Sequence, residues 1–248
     1  MPTRTTGCET VSDATETRVS PRIGPIALVA LFVTALVTSQ VTASKLLEYS
    51  VPLLGTLAMP GGTIAYAFTF FASDCMSELY GERFARRAVN VGFLMNFVLV
   101  GIVWVTIRWP AAQGSIDPAL FETVLGFSIN IVLGSLSAYI VSQNFDVFAF
   151  HRIREFTDGR KLWARNVAST GASQLLDTVI FTAVAFALAP TLLGIGEALP
   201  LSVLVVLMVG QYVAKLAIAA FDTPLVYGVV SYLRSREGSA GETATSAD

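Results

Sequence analysis

Six stretches of this chain are too apolar to be left in water. They run from about Pro25 to Ala43, Gly62 to Met76, Ala88 to Ile107, Phe121 to Val141, Val167 to Ala189 and Leu201 to Val230. A helix of about 18 or more apolar residues is long enough to cross the ~30 Å hydrocarbon layer of a bilayer. Backbone groups in hydrocarbon must satisfy one another, which leaves helix as the natural form for separated runs of this length. Composition agrees: 54% of residues are hydrophobic and 14% charged, against roughly 25% charged in soluble domains. The sequence predicts an all-α, polytopic membrane protein with six transmembrane helices over residues 23–234. The polar ends, 1–22 and 235–248, are rich in Thr, Ser, Glu and Asp, lack a signal-peptide pattern, and read as disordered tails.

Orientation follows from Lys and Arg, which accumulate in short cytoplasmic loops. With the N-terminus inside, the cytoplasmic segments carry Arg4, Arg18 and Arg22, then Arg83, Arg86 and Arg87, then Arg152, Arg154, Arg160, Lys161 and Arg165, then Arg234 and Arg236. The opposite side holds Lys45 and Arg108, and the last of the 16 basic residues, Lys215, lies within a span. Both termini are therefore expected in the cytoplasm of a multi-pass protein of the cell membrane. Between the first two spans, Glu48 to Gly61 is apolar but broken by Pro52, Gly55 and Pro60. A short hairpin or re-entrant cap on the outer side is expected there.

Polar residues within the spans are the informative ones, because a charge near the bilayer centre costs about 2.5–3.5 kcal/mol on insertion scales. Asp177 lies near the middle of the fifth span with Gln174 one turn before it, and Lys215 near the middle of the sixth with Gln211 one turn before it. Residues three or four apart share a helix face, so each pair forms a polar stripe at similar depth. An Asp177–Lys215 ion pair across the two helices would lower the cost of both, as a structural tie, as part of a binding site, or as both. Asn96 and Asn130 are further mid-span amides that are candidates to face a cavity. Asp74, Gln143, Asp146 and Asp222 make a second polar layer toward the cytoplasmic end, with a gating or coupling role to set against ordinary helix-end solvation or pairing.

Other chemistries lack their residues. The single histidine, His151, excludes a His-cluster metal site or a Ser–His–Asp set, and no phosphate-binding or dinucleotide fingerprint is present. Cys8 and Cys75 have no zinc spacing and make no disulfide framework. No basic patch suits nucleic acid. No enzyme, metal or cofactor is expected.

Four separated motifs carry a resemblance. FFASDCMSELYGERFARR (70–87), QNFDVFAFHRIR (143–154), WARNVASTGASQLLDTVIFTAVAF (163–186) and QYVAKLAIAAFDTPLVYGVV (211–230) resemble, in order, the queuosine-precursor transporter family, also called the vitamin uptake transporter family. The resemblance spans about Leu28 to Leu233. It implies six spans and uptake of 7-deazaguanine precursors of modified tRNA bases, such as 7-cyano-7-deazaguanine and its aminomethyl relative. Asp74, Arg86, Arg87, Gln143, Asp146, Ser169, Thr170, Asp177, Lys215, Pro224 and Tyr227 match the family pattern. Asn130 departs from it, since members often carry Arg nearby. The expected partners are then a small 7-deazaguanine and the lipid bilayer, and the sequence is compatible with a homo-oligomer. On this reading Gln174, Asp177, Gln211, Lys215, Asn96 and Asn130 meet the substrate, while Asp74, Gln143, Asp146 and Asp222 serve the inner gate. The rival reading is a substrate-capture subunit of an energy-coupling-factor complex, docking through small residues such as Ala30 and Thr34 on the first span.

Overall fold

The computed structural model describes residues 23–52, 55–156 and 162–245, with side chains described for 24–52, 55–142, 144–145 and 171–231. The N-terminal tail, Gln143 and Asp146 as side chains, and the basic segment after Phe156 lie outside the described residues. The chain begins with helix α1 (Ile23–Thr42), followed by strands β1 (Leu46–Val51) and β2 (Gly55–Pro60) and helix α2 (Gly62–Tyr80). Helix α3 (Glu82–Arg108) and a loop lead to α4 (Pro118–Phe121), which passes through a π turn at Glu122–Gly126 into α5 (Phe127–Phe156). Helix α6 (Leu162–Ala183) passes through a second π turn at Val184–Leu188 into α7 (Ala189–Leu193), and α8 (Leu201–Thr245) completes the chain.

Among the described residues, five helical segments are long and apolar enough to cross a bilayer: Gly24–Thr42, Glu82–Arg108, Pro118–Ser142, Gly171–Leu193 and Leu201–Ser231. Large apolar side chains such as Ile64, Phe68, Phe97, Ile102 and Leu225 point outward. Water would penalise such a surface and lipid would not. Helix α2, where the second span is expected, has 19 residues but carries Asp74 and Glu78 in its last turns, which keeps it out of this apolar set. The all-α expectation needs one correction. The segment broken by Pro52 and Gly55 forms an antiparallel hairpin, paired from Leu46 with Pro60 to Val51 with Gly55. Gly55 turns it with φ 79°, where side-chain-bearing residues are strained. At the other end α8 stays helical through Thr245, past residue 234, where a tail is expected. Proline is absent beyond Pro224, so the covalent backbone does not stop the helix.

Helix α1 packs on α2 and α3, α5 on α6, and α8 on α2, α6 and β2. Two apolar clusters result. One joins Phe32 and Leu36 of α1, Cys75 and Met76 of α2, Ala88 of α3 and Val226 of α8. The other, at the hairpin end, joins Ala43, Ile131, Phe181, Phe186 and Leu207. The π turn at Val184–Leu188 has a local cause. Pro190 lacks the N–H that the Phe186 carbonyl would receive one helical turn on, and that carbonyl accepts instead from the Leu199 N–H at 2.9 Å.

Candidate functional site

Polar side chains gather between the two apolar clusters. Lys215 Nζ donates to Asp177 Oδ2 at 2.6 Å and to Thr178 Oγ1 at 3.3 Å. The other carboxylate oxygen, Asp177 Oδ1, accepts from Ser142 Oγ at 3.4 Å. The lysine side chain is 7% exposed and the aspartate 25%, so the pair is held among protein groups rather than toward lipid. One turn toward the hairpin, Thr182 Oγ1 donates to Gln211 Oε1 at 3.3 Å. The two helix faces thus meet as their spacing predicts: α6 supplies Asp177, Thr178 and Thr182, and α8 supplies Gln211 and Lys215.

Two hollows meet at this layer. On the hairpin side, a cavity of about 50 Å³ is lined by Gln40, Thr63, Tyr66, Ser135, Tyr139, Phe181, Asp177, Gln211 and Lys215, with Pro60 and Gly62 closing it from the hairpin side. On the other side, a hollow of about 210 Å³ is lined by Leu36, Thr69, Ser73, Phe93, Ser142, Gln174 and again Tyr66, Tyr139 and Asp177. Tyr66, Tyr139 and Asp177 therefore stand between the two. Tyr66 rests edge-on against Phe70 at 5.1 Å, and Tyr139 lies against Phe93 at 4.2 Å. A 50 Å³ space is far below the several hundred cubic ångströms of ordinary small-molecule pockets, so the surrounding helices must part before a bicyclic solute enters.

The remaining candidates distribute unevenly. Gln174 faces the larger hollow, and its side-chain oxygen is buried without a hydrogen-bond partner. Asn96 is fully buried with neither amide atom bonded. Asn130 Nδ2 donates to the Ile195 carbonyl at 2.7 Å, tying α5 to the loop after α7, while its oxygen is buried and unbonded. Asp74 and Asp222 face each other from α2 and α8. Asp74 opens onto a hollow of about 290 Å³ shared with Ser77, Glu78, Thr223 and Tyr227. Arg86 pairs with Glu82 at 2.6 Å on the exposed face of α3.

The two hollows also hold residues that sequence reasoning passed over: Gln40, Thr63 and Ser135 in the smaller, Ser142 in the larger, and the two tyrosines in both. Gln40 carries the clearest signal, an amide on the first span comparable to the glutamines singled out on the fifth and sixth. The serines and threonines carry none, because small hydroxyls are common at any tight helix contact.

Comparison with known proteins adds a relationship to this geometry. Residues 60–229 match a family model described as "Putative vitamin uptake transporter". The "Probable queuosine precursor transporter" of Bacillus subtilis (strain 168) is 37% identical over 180 residues, covering 72% of this chain and 75% of that protein. The "Queuosine precursor transporter" of Escherichia coli (strain K12) is 28% identical over 148 residues, 58% of this chain and 62% of that protein. The Haemophilus influenzae protein named "Probable queuosine precursor transporter" is 27% identical over 128 residues, about half of each chain (50% and 51%). No solved structure matches the chain. The family model takes in α2 through most of α8, including every residue of the Asp177–Lys215 layer, and the chain belongs to the vitamin uptake transporter family, whose members are transporters and not enzymes.

Proposed function

We propose that this protein imports a queuosine precursor, a 7-deazaguanine such as 7-cyano-7-deazaguanine, across the cell membrane as a secondary or facilitative transporter. The observation that carries the reading is the Lys215–Asp177 pair, joined at 2.6 Å and lining a cavity between two apolar clusters. Removing charges from water is costly, and a buried pair rarely repays that cost in stability alone. Ionisable groups kept at that depth in a membrane protein commonly mark a solute path. The relatives' names give the solute class, and the cavity chemistry suits it. A flat heterocycle with donors and acceptors on one edge can meet amides, hydroxyls, a carboxylate and an ammonium, with Phe181 and the two tyrosines offering ring faces.

In this reading α2 is the second of six spans, shorter in apolar length because its last turns hold Asp74 and Glu78 near the cytoplasmic surface. The hairpin lies outside, and both termini lie in the cytoplasm. Gln174, Asp177, Gln211 and Lys215 contact the solute, and Asn96 and Asn130 border its path. Asp74 and Asp222, with Gln143 and Asp146, belong to the inner gate. The test is a host that cannot make the precursor. Expression of this chain should restore the modified tRNA base at low external 7-cyano-7-deazaguanine. Failure to restore it, with the protein present in the membrane, rejects the assignment.

One observation keeps the energy-coupling-factor alternative in play: Ala30 and Thr34 lie exposed one turn apart on α1, a face suited to close helix docking. Purified protein that transports alone in vesicles excludes that alternative, whereas transport that requires a co-purifying ATPase establishes it.

A further inference from the structure

Where it lines the smaller cavity, the Asp177–Lys215 layer has its acceptors already engaged, and the open Gln174 oxygen belongs to the larger hollow instead. Asp177 is engaged on both oxygens, by Lys215 and Ser142, and the Gln211 oxygen is taken by Thr182. Across the cavity the opposite holds. Gln40 of α1 is 1% exposed, and Thr63 of α2 is 5% exposed. Both line the cavity, and the Thr63 hydroxyl is buried with no hydrogen-bond partner. Ser135 Oγ of α5 donates to Gln40 Oε1 at 3.3 Å. In that arrangement the oxygen is the bonded end of the Gln40 amide, and the nitrogen is the end left to donate.

From this geometry we infer that Gln40 and Thr63 form the recognition edge that selects the solute, with Ser135 as the positioning residue that orients the Gln40 amide. The inference rests on the transport reading above and deepens it. An oriented amide donor suits a ring carbonyl and disfavours an exocyclic amino group at the same place, because two donors would face each other in a water-poor site. The Thr63 hydroxyl, both donor and acceptor, can take the neighbouring ring N–H. The edge therefore selects a guanine-type heterocycle over an adenine-type one, and the charged pair opposite contributes field rather than discrimination.

The test is initial uptake of 7-cyano-7-deazaguanine and of 7-cyano-7-deazaadenine, measured separately in membrane vesicles as Vmax/KM, with the ratio as the readout. Wild type should favour the guanine-type compound. Gln40→Met and Thr63→Val, both close in size to the native residues, should each lower that ratio about tenfold, the scale of one buried polar group left unpaired. Ser135→Ala should lower the ratio while retaining most uptake of the guanine-type compound, because the amide is then free to turn over. A purely structural α1–α5 tie predicts something different: less protein in the membrane, equal losses for both compounds and an unchanged ratio. An unchanged ratio in Thr63→Val and in whichever Gln40 or Ser135 variant inserts overturns the assignment. Wild-type vesicles that take up neither compound would instead remove the transport reading, and this edge with it.

Discussion

Asp177 has different neighbours on its two oxygens, an ammonium on one and a hydroxyl on the other, and this difference sets what each substitution does. Asp177→Asn keeps the shape and some hydrogen bonding but leaves the Lys215 charge without a counter-charge. Uptake should be lost, and the membrane level, followed by immunoblot of the membrane fraction, should fall as well, because the stranded Lys215 is the more buried of the two charges. Lys215→Met strands the carboxylate instead, and breaking a buried pair from one side costs about 3–5 kcal/mol. Its membrane level should therefore fall along with uptake. The double variant removes both charges, so its folded yield should recover toward wild type while uptake stays absent. Recovery of transport in the double variant would show that the pair only sets helix register. Full uptake by Asp177→Asn would remove that residue from the solute path.

Among the elements, the hairpin is the part whose attachment is most sharply defined. Strand β2 lies directly on α8, and a Cβ at Gly210 would collide with the Ala58 backbone carbonyl. The Tyr49 hydroxyl reaches from β1 to donate to the Gly210 carbonyl at 2.6 Å. Gly210→Ala should therefore push the hairpin off α8, with an overpacking cost of about 1–3 kcal/mol. Faster amide exchange across Leu46–Pro60 would report it, and unchanged exchange would contradict the packing. Tyr49→Phe should remove about 1 kcal/mol with a milder rise in exchange. Burial raises the Tyr49 phenol above its ordinary value of 10.0. Below that value the phenol is protonated in the folded and unfolded chain alike, and its bond is intact. As pH rises past it the unfolded chain ionises first, so this contribution to stability declines. Melting in detergent from about pH 8 to about pH 11 should show wild type losing more stability than Tyr49→Phe at the alkaline end.

For the molecule as a whole, the two ends differ in kind. Lys45 and Arg108 lie at the hairpin end, the latter with its guanidinium 5.8 Å from the Trp104 ring, while Arg83, Arg86 and Arg87 lie at the opposite end of α3. In a cysteine-free background, Ser115→Cys, in the loop after α3, should be labelled by an impermeant maleimide on intact cells. Glu82→Cys, at the start of α3, should be labelled only after permeabilisation. The reverse pattern would invert the topology, and labelling of both from outside would break the count of spans. Between the ends, Tyr66, Tyr139 and Asp177 border both central hollows, so a change in their positions is the shortest route by which access could pass from one side to the other.

Much of this molecule was legible from hydropathy, charge placement and helical spacing, because each is a property of residues near one another in the chain. Apolar run length yielded the long helices. The i, i+3 and i, i+4 spacings yielded the two polar faces that meet at Asp177 and Lys215. Breakers at Pro52 and Gly55 marked the hairpin without choosing between a hairpin and a re-entrant cap. What local pattern could not supply was the partner across space. Gln40 meets Ser135 across 95 residues of sequence, and nothing in the local surroundings of Gln40 or Thr63 separates a cavity-lining hydroxyl or amide from one that merely ties two helices. Asp177's use of Ser142 and the narrowness of the central cavity arise only when the helices are brought together, because each depends on distances that packing, and no single segment, sets.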